Sequence, residues 1–182
     1  MIIDAISKDR PDFTTDLQLV DRNTTSIAIS DKTKGLSLLH EFNFKKVWLI
    51  CLNQKVFEKV ILHISPKYLN LYGCRVKDLS LLETLTYIET IVNIWNTKAI
   101  QLWDFSKNKK LKKLYLGDIS KVTTLEALAK ATTVEDIQIA GGMHGAWKVP
   151  TLAPLSSLTN LKSLSLSAIN VIDKSLQSLS TL

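Results

Sequence analysis

Apolar residues in this chain fall on every third position, then on every second, and the switch recurs along the sequence. Near the C-terminal end Leu152, Leu155, Leu158, Leu161 and Leu164 follow one another at intervals of three, and Leu166 and Ile169 come next. The same phrase returns as Leu111, Leu114, Leu116, Ile119 and as Val134, Ile137, Ile139, Gly142. It appears again as Phe44, Val47, Leu49, Leu52 and, with Pro66 in the first slot, as Leu69, Leu71, Cys74. A degenerate first copy sits on Ile27 and Ile29. Two inward residues separated by one outward residue predict a short strand of period two. The spacing of three before it follows tight 3₁₀ or short helical turns, in which positions i and i+3 eclipse.

The fourth copy admits two registers, one with Ile91 and Asn93 inside and one with Val92 and Ile94 inside. The second is adopted here, because Val92, Ile94 and Ile100 then have the relative spacing of Leu114, Leu116 and Val122 and no amide is buried. First ladder positions fall at 27, 47, 69, 92, 114, 137 and 164, which makes seven units in steps of 20, 22, 23, 22, 23 and 27 residues. Periods of this length predict a solenoid. No unit closes its own core: five or six buried aliphatics at about 1.5–3 kcal/mol each offset the ordering entropy of a coil only when both neighbours are stacked on it.

Residues 155–169, Leu-Ser-Ser-Leu-Thr-Asn-Leu-Lys-Ser-Leu-Ser-Leu-Ser-Ala-Ile, read L-x-x-L-x-L-x-x-I over their second half. The phrase resembles the leucine-rich repeat, most closely the short bacterial kind seen in internalins, and the resemblance runs from about Ile27 to Leu182. It implies an α/β fold: a right-handed β–α superhelix with a parallel sheet on its concave face and short helices or 3₁₀ turns on its convex face. The ninth position of that repeat is usually Asn or Cys. In this reading only Cys74 conforms, with Leu52, Ile119, Gly142 and Ile169 elsewhere, so an asparagine ladder is expected to be largely absent. Residues 1–24 lack the phrase, carry Asp4, Asp9, Asp12, Asp16 and Asp21, and are read as an N-terminal cap on a repeat domain of 25–182. Leu176, Leu179 and Leu182 begin another convex segment, so the last coil is thinly covered and a homodimer through the C-terminal end is an expectation.

Outward strand residues line the concave surface of such a solenoid. In the adopted register repeats two to five present Trp48, Ile50, Tyr68, Tyr72, Ile91, Trp95 and Tyr115 there. Tyr and Trp anchor protein interfaces, and a contiguous exposed apolar patch marks a binding surface. Trp48, Ile50, Tyr68, Tyr72, Trp95 and Tyr115 are therefore the candidate partner-binding residues, the alternative being that loops or neighbouring strands cover the rings. The 27-residue step before the last unit is the one marked insertion and holds Gly141 to Pro150. Its Trp147 is a seventh candidate, with the competing reading that it folds back over the edge of the array.

Composition narrows the function classes without naming one. At 46% hydrophobic and 22% charged residues the chain is globular, and no apolar run approaches the roughly 18 residues of a membrane span. No secretion signal is visible in residues 1–10, and two cysteines, Cys51 and Cys74, fit a reducing compartment, so a cytoplasmic location is expected. Both cysteines read as packed small hydrophobes. His40, His63 and His144 have no metal-ligand spacing, and the chain has no G-x-S-x-G, P-loop or G-x-G-x-x-G. Neither catalysis nor a cofactor is expected. The net charge of +6 raises nucleic acid or an acidic protein as an alternative partner through the run Lys107, Lys109, Lys110, Lys112 and Lys113. The leading expectation is a non-catalytic module that binds a protein, in its narrowest form an immunity or inhibitor protein.

Overall fold

Seven strands of equal length carry the recurring phrase, and a computed structural model describes them within residues 9–142 and 145–180. They are β1 (Ser26–Ser30), β2 (Lys46–Ile50), β3 (Tyr68–Tyr72), β4 (Thr90–Ile94), β5 (Lys113–Gly117), β6 (Asp136–Ala140) and β8 (Ser163–Ser167). All are parallel and stack in chain order into one open seven-stranded sheet. A second small sheet pairs β7 (Trp147–Val149) with β9 (Ile169–Val171). The chain is thus an α/β repeat solenoid, with the sheet on its concave side and 3₁₀ turns behind it.

Pairing is strictly in register: Ile27, Val47, Leu69, Ile91, Leu114, Ile137 and Leu164 form one rung, and Ile29, Leu49, Leu71, Asn93, Leu116, Ile139 and Leu166 the next. Rung residues are buried from Ile27 to Ile139, whereas Leu164 and Leu166 on the last strand are only half-buried. Ile172 and Leu176 beyond them are 64% and 65% exposed. On the convex side, Leu79, Leu82, Leu85 and Ile88 make three successive i→i+3 turns, and Leu125, Leu128, Ala131, Val134 and Leu152, Leu155, Leu158, Leu161 do the same. One coil instead uses a helix, α1 (Gln54–Ile61), started by Asn53, whose side-chain oxygen accepts from the Val56 amide at 3.1 Å. Before the first coil, Phe13 bridges to Ala28 and Leu17 is fully buried against the array.

The structure corrects the register of the fourth repeat. Ile91 and Asn93 point inward, and Val92 lies opposite Asn70 and Tyr115 on the concave face. The first-position steps become 20, 22, 22, 23, 23 and 27. An amide is buried after all: neither side-chain polar atom of Asn93 has a hydrogen-bond partner. The reason lies three residues on. With Ile88, Ile91 and Asn93 inside, Asn96 falls on the ninth position, where its Oδ1 accepts from the Val76 amide at 3.2 Å and the Lys98 amide at 3.3 Å. Cys74 holds that position one coil earlier, and its thiol donates to the Leu49 carbonyl at 3.3 Å. A further buried amide, Asn108, is well bonded: it donates to the Leu82 and Leu85 carbonyls and accepts from the Trp103 indole at 2.8 Å.

Trp147 is not a partner-binding residue. It is fully buried, and its indole donates to the Val122 carbonyl at 2.6 Å, so the insertion folds back over the coil edge through β7. Gly141 is required by packing, since a Cβ there would collide with the Ala168 carbonyl and the Trp147 amide, whereas a Cβ on Gly142 would meet only the Asp118 carboxylate, which can turn aside. Met143 and His144 between them and Gly145 lie outside the described residues, as do Asp4 of the cap and Leu182.

Two stability changes follow from these contacts. Asn93→Leu, which restores the rung, is expected to raise unfolding free energy by about 1–3 kcal/mol in urea titration; a loss would show that the amide is bonded. Trp147→Ala is expected to cost about 3–5 kcal/mol in the same assay, and a cost below about 1 kcal/mol would contradict its role as a core residue.

Candidate functional site

Because strand side chains alternate, residues one, three and five of each strand face away from the core. These are Lys46, Trp48 and Ile50 on β2, Tyr68, Asn70 and Tyr72 on β3, Thr90, Val92 and Ile94 on β4, and Lys113, Tyr115 and Gly117 on β5. The corrected register removes Ile91 from this face. Trp95 is not part of a strand but the first residue after β4.

The rings divide into two pairs that meet on β3. Trp48 and Tyr68 have centroids 5.1 Å apart, and Tyr72 and Trp95 have centroids 4.9 Å apart at an interplanar angle of 51°. Tyr115 stands apart on β5, where its hydroxyl donates to Asp136 Oδ2 at 2.9 Å. Burial and then the Asp136 carboxylate push that phenol up to about 12, so it stays a neutral donor. Burial likewise raises the pKa of Tyr68, whose hydroxyl accepts from Asn70 at 3.2 Å.

Trp48 offers no anchor surface. It is 1% exposed and its indole nitrogen makes no hydrogen bond, so it serves as packing beneath the open face. Ile50, Tyr68, Tyr72 and Tyr115 are half-buried, and Trp95 is 38% exposed. Beyond the rings the outward side chains become small, with Ala140 on β6 and Ser165 and Ser167 on β8.

Backbone conformation marks one ring out. In five of the seven strands of the main sheet the next residue is left-handed, at Cys51 (φ 57°), Gly73 (64°), Trp95 (59°), Asp118 (46°) and Ala168 (51°). There the amides of Cys51, Gly73, Trp95 and Asp118 each donate to the neighbouring strand. Glycine is the residue such a turn favours, and a large side chain there is held at a cost of order 1 kcal/mol. Sequence reading reached Trp95 only through the Val92–Ile94 register that the structure corrects, as an outward strand residue, whereas it occupies the left-handed turn after β4.

The opposite margin, where strands begin, is basic. One residue per coil, Lys45, Lys67, Glu89, Lys112, Glu135 and Lys162, has its carbonyl or amide in a shared rung. Lys67 pairs with Glu89 at 2.8 Å, and Lys112 and Lys162 both pair with Glu135, at 2.8 and 2.7 Å. Hydrogen bonds from those two lysines hold the Glu135 carboxyl down at about 2, so it remains ionised well below the usual range. Lys109 and Lys110 line a hollow of about 380 Å³ together with Lys112 and Lys162. Lys107 ends a 3₁₀ turn, Phe105–Lys107, and does not line that hollow.

Chemistry elsewhere is sparse. Cys51 is exposed rather than packed, while burial pushes the Cys74 thiol up to about 12, which leaves it unreactive. His40 and His63 each bond through Nδ1 to a backbone oxygen of their own turn. Among the described residues no cluster of three or more His, Cys, Asp and Glu could hold a metal ion, and no helix is long and apolar enough to cross a membrane. No family model matches the chain, and no curated protein matches it.

The left-handed row supplies its own test. Ala168→Gly relieves the turn without removing any ring and is expected to raise stability by about 0.5–1 kcal/mol, read as a shift of the urea midpoint; destabilisation would refute the strain at this row.

Proposed function

We propose that this chain is a non-catalytic protein-binding module of the short bacterial leucine-rich repeat kind, docking its partner on the concave face. The observation that carries the reading is Trp95, a large ring kept 38% exposed in a left-handed turn where glycine would cost less. The turn itself recurs at Cys51, Gly73, Asp118 and Ala168, so what sets Trp95 apart is a large exposed ring at a position that the other coils fill with small or polar residues. Trp95 and Tyr72 form the anchor pair, while Tyr68, Ile50 and the Tyr115 hydroxyl supply the flanking contacts. The small residues Ala140, Ser165 and Ser167 let a partner backbone approach the sheet. A small array offering one rigid face suits an immunity or inhibitor protein that blocks an enzyme, and two unpaired cysteines suit work in the cytoplasm.

Affinity for a partner isolated from the native host and purified tests this. Trp95→Ala is expected to weaken binding by about 2 kcal/mol, roughly 30-fold, by calorimetry, with the urea midpoint little changed. Unchanged affinity in a Tyr72→Ala, Trp95→Ala double variant would end this reading.

A further inference from the structure

The two margins of the concave face carry opposite chemistry. Residues following the strands are Asp31, Cys51, Gly73, Trp95, Asp118, Gly141 and Ala168, with two acids and no base. The margin where strands begin is rich in lysine, and its densest part lies around β5 and β8. There one carboxylate, Glu135, is shared between Lys112 and Lys162. Lys109 and Lys110 line the same hollow and Lys113 opens β5, and none of these three makes an ion pair among the described residues. Unpaired like charges gathered in this way set up a positive potential that attracts an acidic surface.

We infer that the docked partner is an acidic protein segment, whose carboxylates lie along the lysine margin while an apolar side chain reaches the Tyr72–Trp95 pair. This rests on the protein-docking reading and specifies its partner. A peptide fits better than a nucleic acid, because Glu89, Glu135 and Asp136 are interspersed with the lysines at the same margin. A phosphate backbone carries charge at every residue and would be opposed at those three carboxylates. A peptide can place its acids opposite the lysines alone. Charges at such a rim act mainly on the rate of association and on its salt dependence.

Fluorescence anisotropy on the full chain tests the inference with two labelled probes. One is a peptide of about 12 residues, rich in glutamate with a central Leu-Phe pair, and the other is an oligothymidylate of similar charge. The peptide is expected to bind at about 50 mM salt and to weaken at least tenfold in a Lys109→Glu, Lys110→Glu variant. A control variant, Lys55→Glu with Lys121→Glu, removes the same charge away from this margin and is expected to change affinity less than about twofold. No peptide binding, equal loss in both variants, or tighter binding of the oligothymidylate would overturn the inference. Trp95→Ala separates the two readings: lysine-dependent peptide binding that ignores Trp95 supports the acidic complement and overturns the aromatic anchor.

Discussion

At the start of each strand a single carbonyl accepts two amide hydrogens from the next coil, and the rest of the structure depends on that doubled rung. Thr25 receives Lys45 and Lys46, Lys45 receives Lys67 and Tyr68, and the pattern continues to Glu135, which receives Lys162 and Ser163. With the start pinned, five residues of strand leave two inward positions and three outward ones. A slip of one would send every aliphatic rung into water and every ring into the core. The rung therefore decides at once what is buried, which side chains line the open face and where the left-handed turn falls.

Much of this was legible because spacing alone encodes it. Leucines three apart can only face one way along successive 3₁₀ turns, and Leu114–Leu116 or Ile137–Ile139 can only face the core. The fourth repeat was not legible by the same rule, since Ile91, Val92 and Ile94 are apolar in both parities and Asn93 argued against the true one. Asn96 was the deciding signal: a buried side-chain oxygen at the ninth position serves the Val76 and Lys98 amides, and it ties the coil to its neighbour despite the poorly bonded Asn93.

The candidate site was legible in part. Position in the repeat identified Tyr68, Tyr72 and Tyr115, reached Trp95 only through the wrong register of the fourth repeat, and misjudged Trp48 and Trp147 because spacing carries no information about what packs on a ring. The distinction matters for function. Trp147 spends its indole on the Val122 carbonyl and Trp48 lies enclosed, so both are accounted for by the fold. Trp95 is not so accounted for. It projects from a left-handed turn beside Tyr72, at the end of the strands opposite the basic margin, and the proposed docking face rests on that exposed pair.

Methyl-to-aromatic and methyl-to-methyl nuclear Overhauser contacts in the folded chain test the doubled rung most directly, because they read its register at the one strand where two were open. The account predicts contacts from Ile91 to Leu69 and Leu114 and from Val92 to the Tyr115 ring. Contacts from Val92 to Leu69 and Leu114 instead would contradict it, and with it the placement of Trp95 at the edge of the concave face.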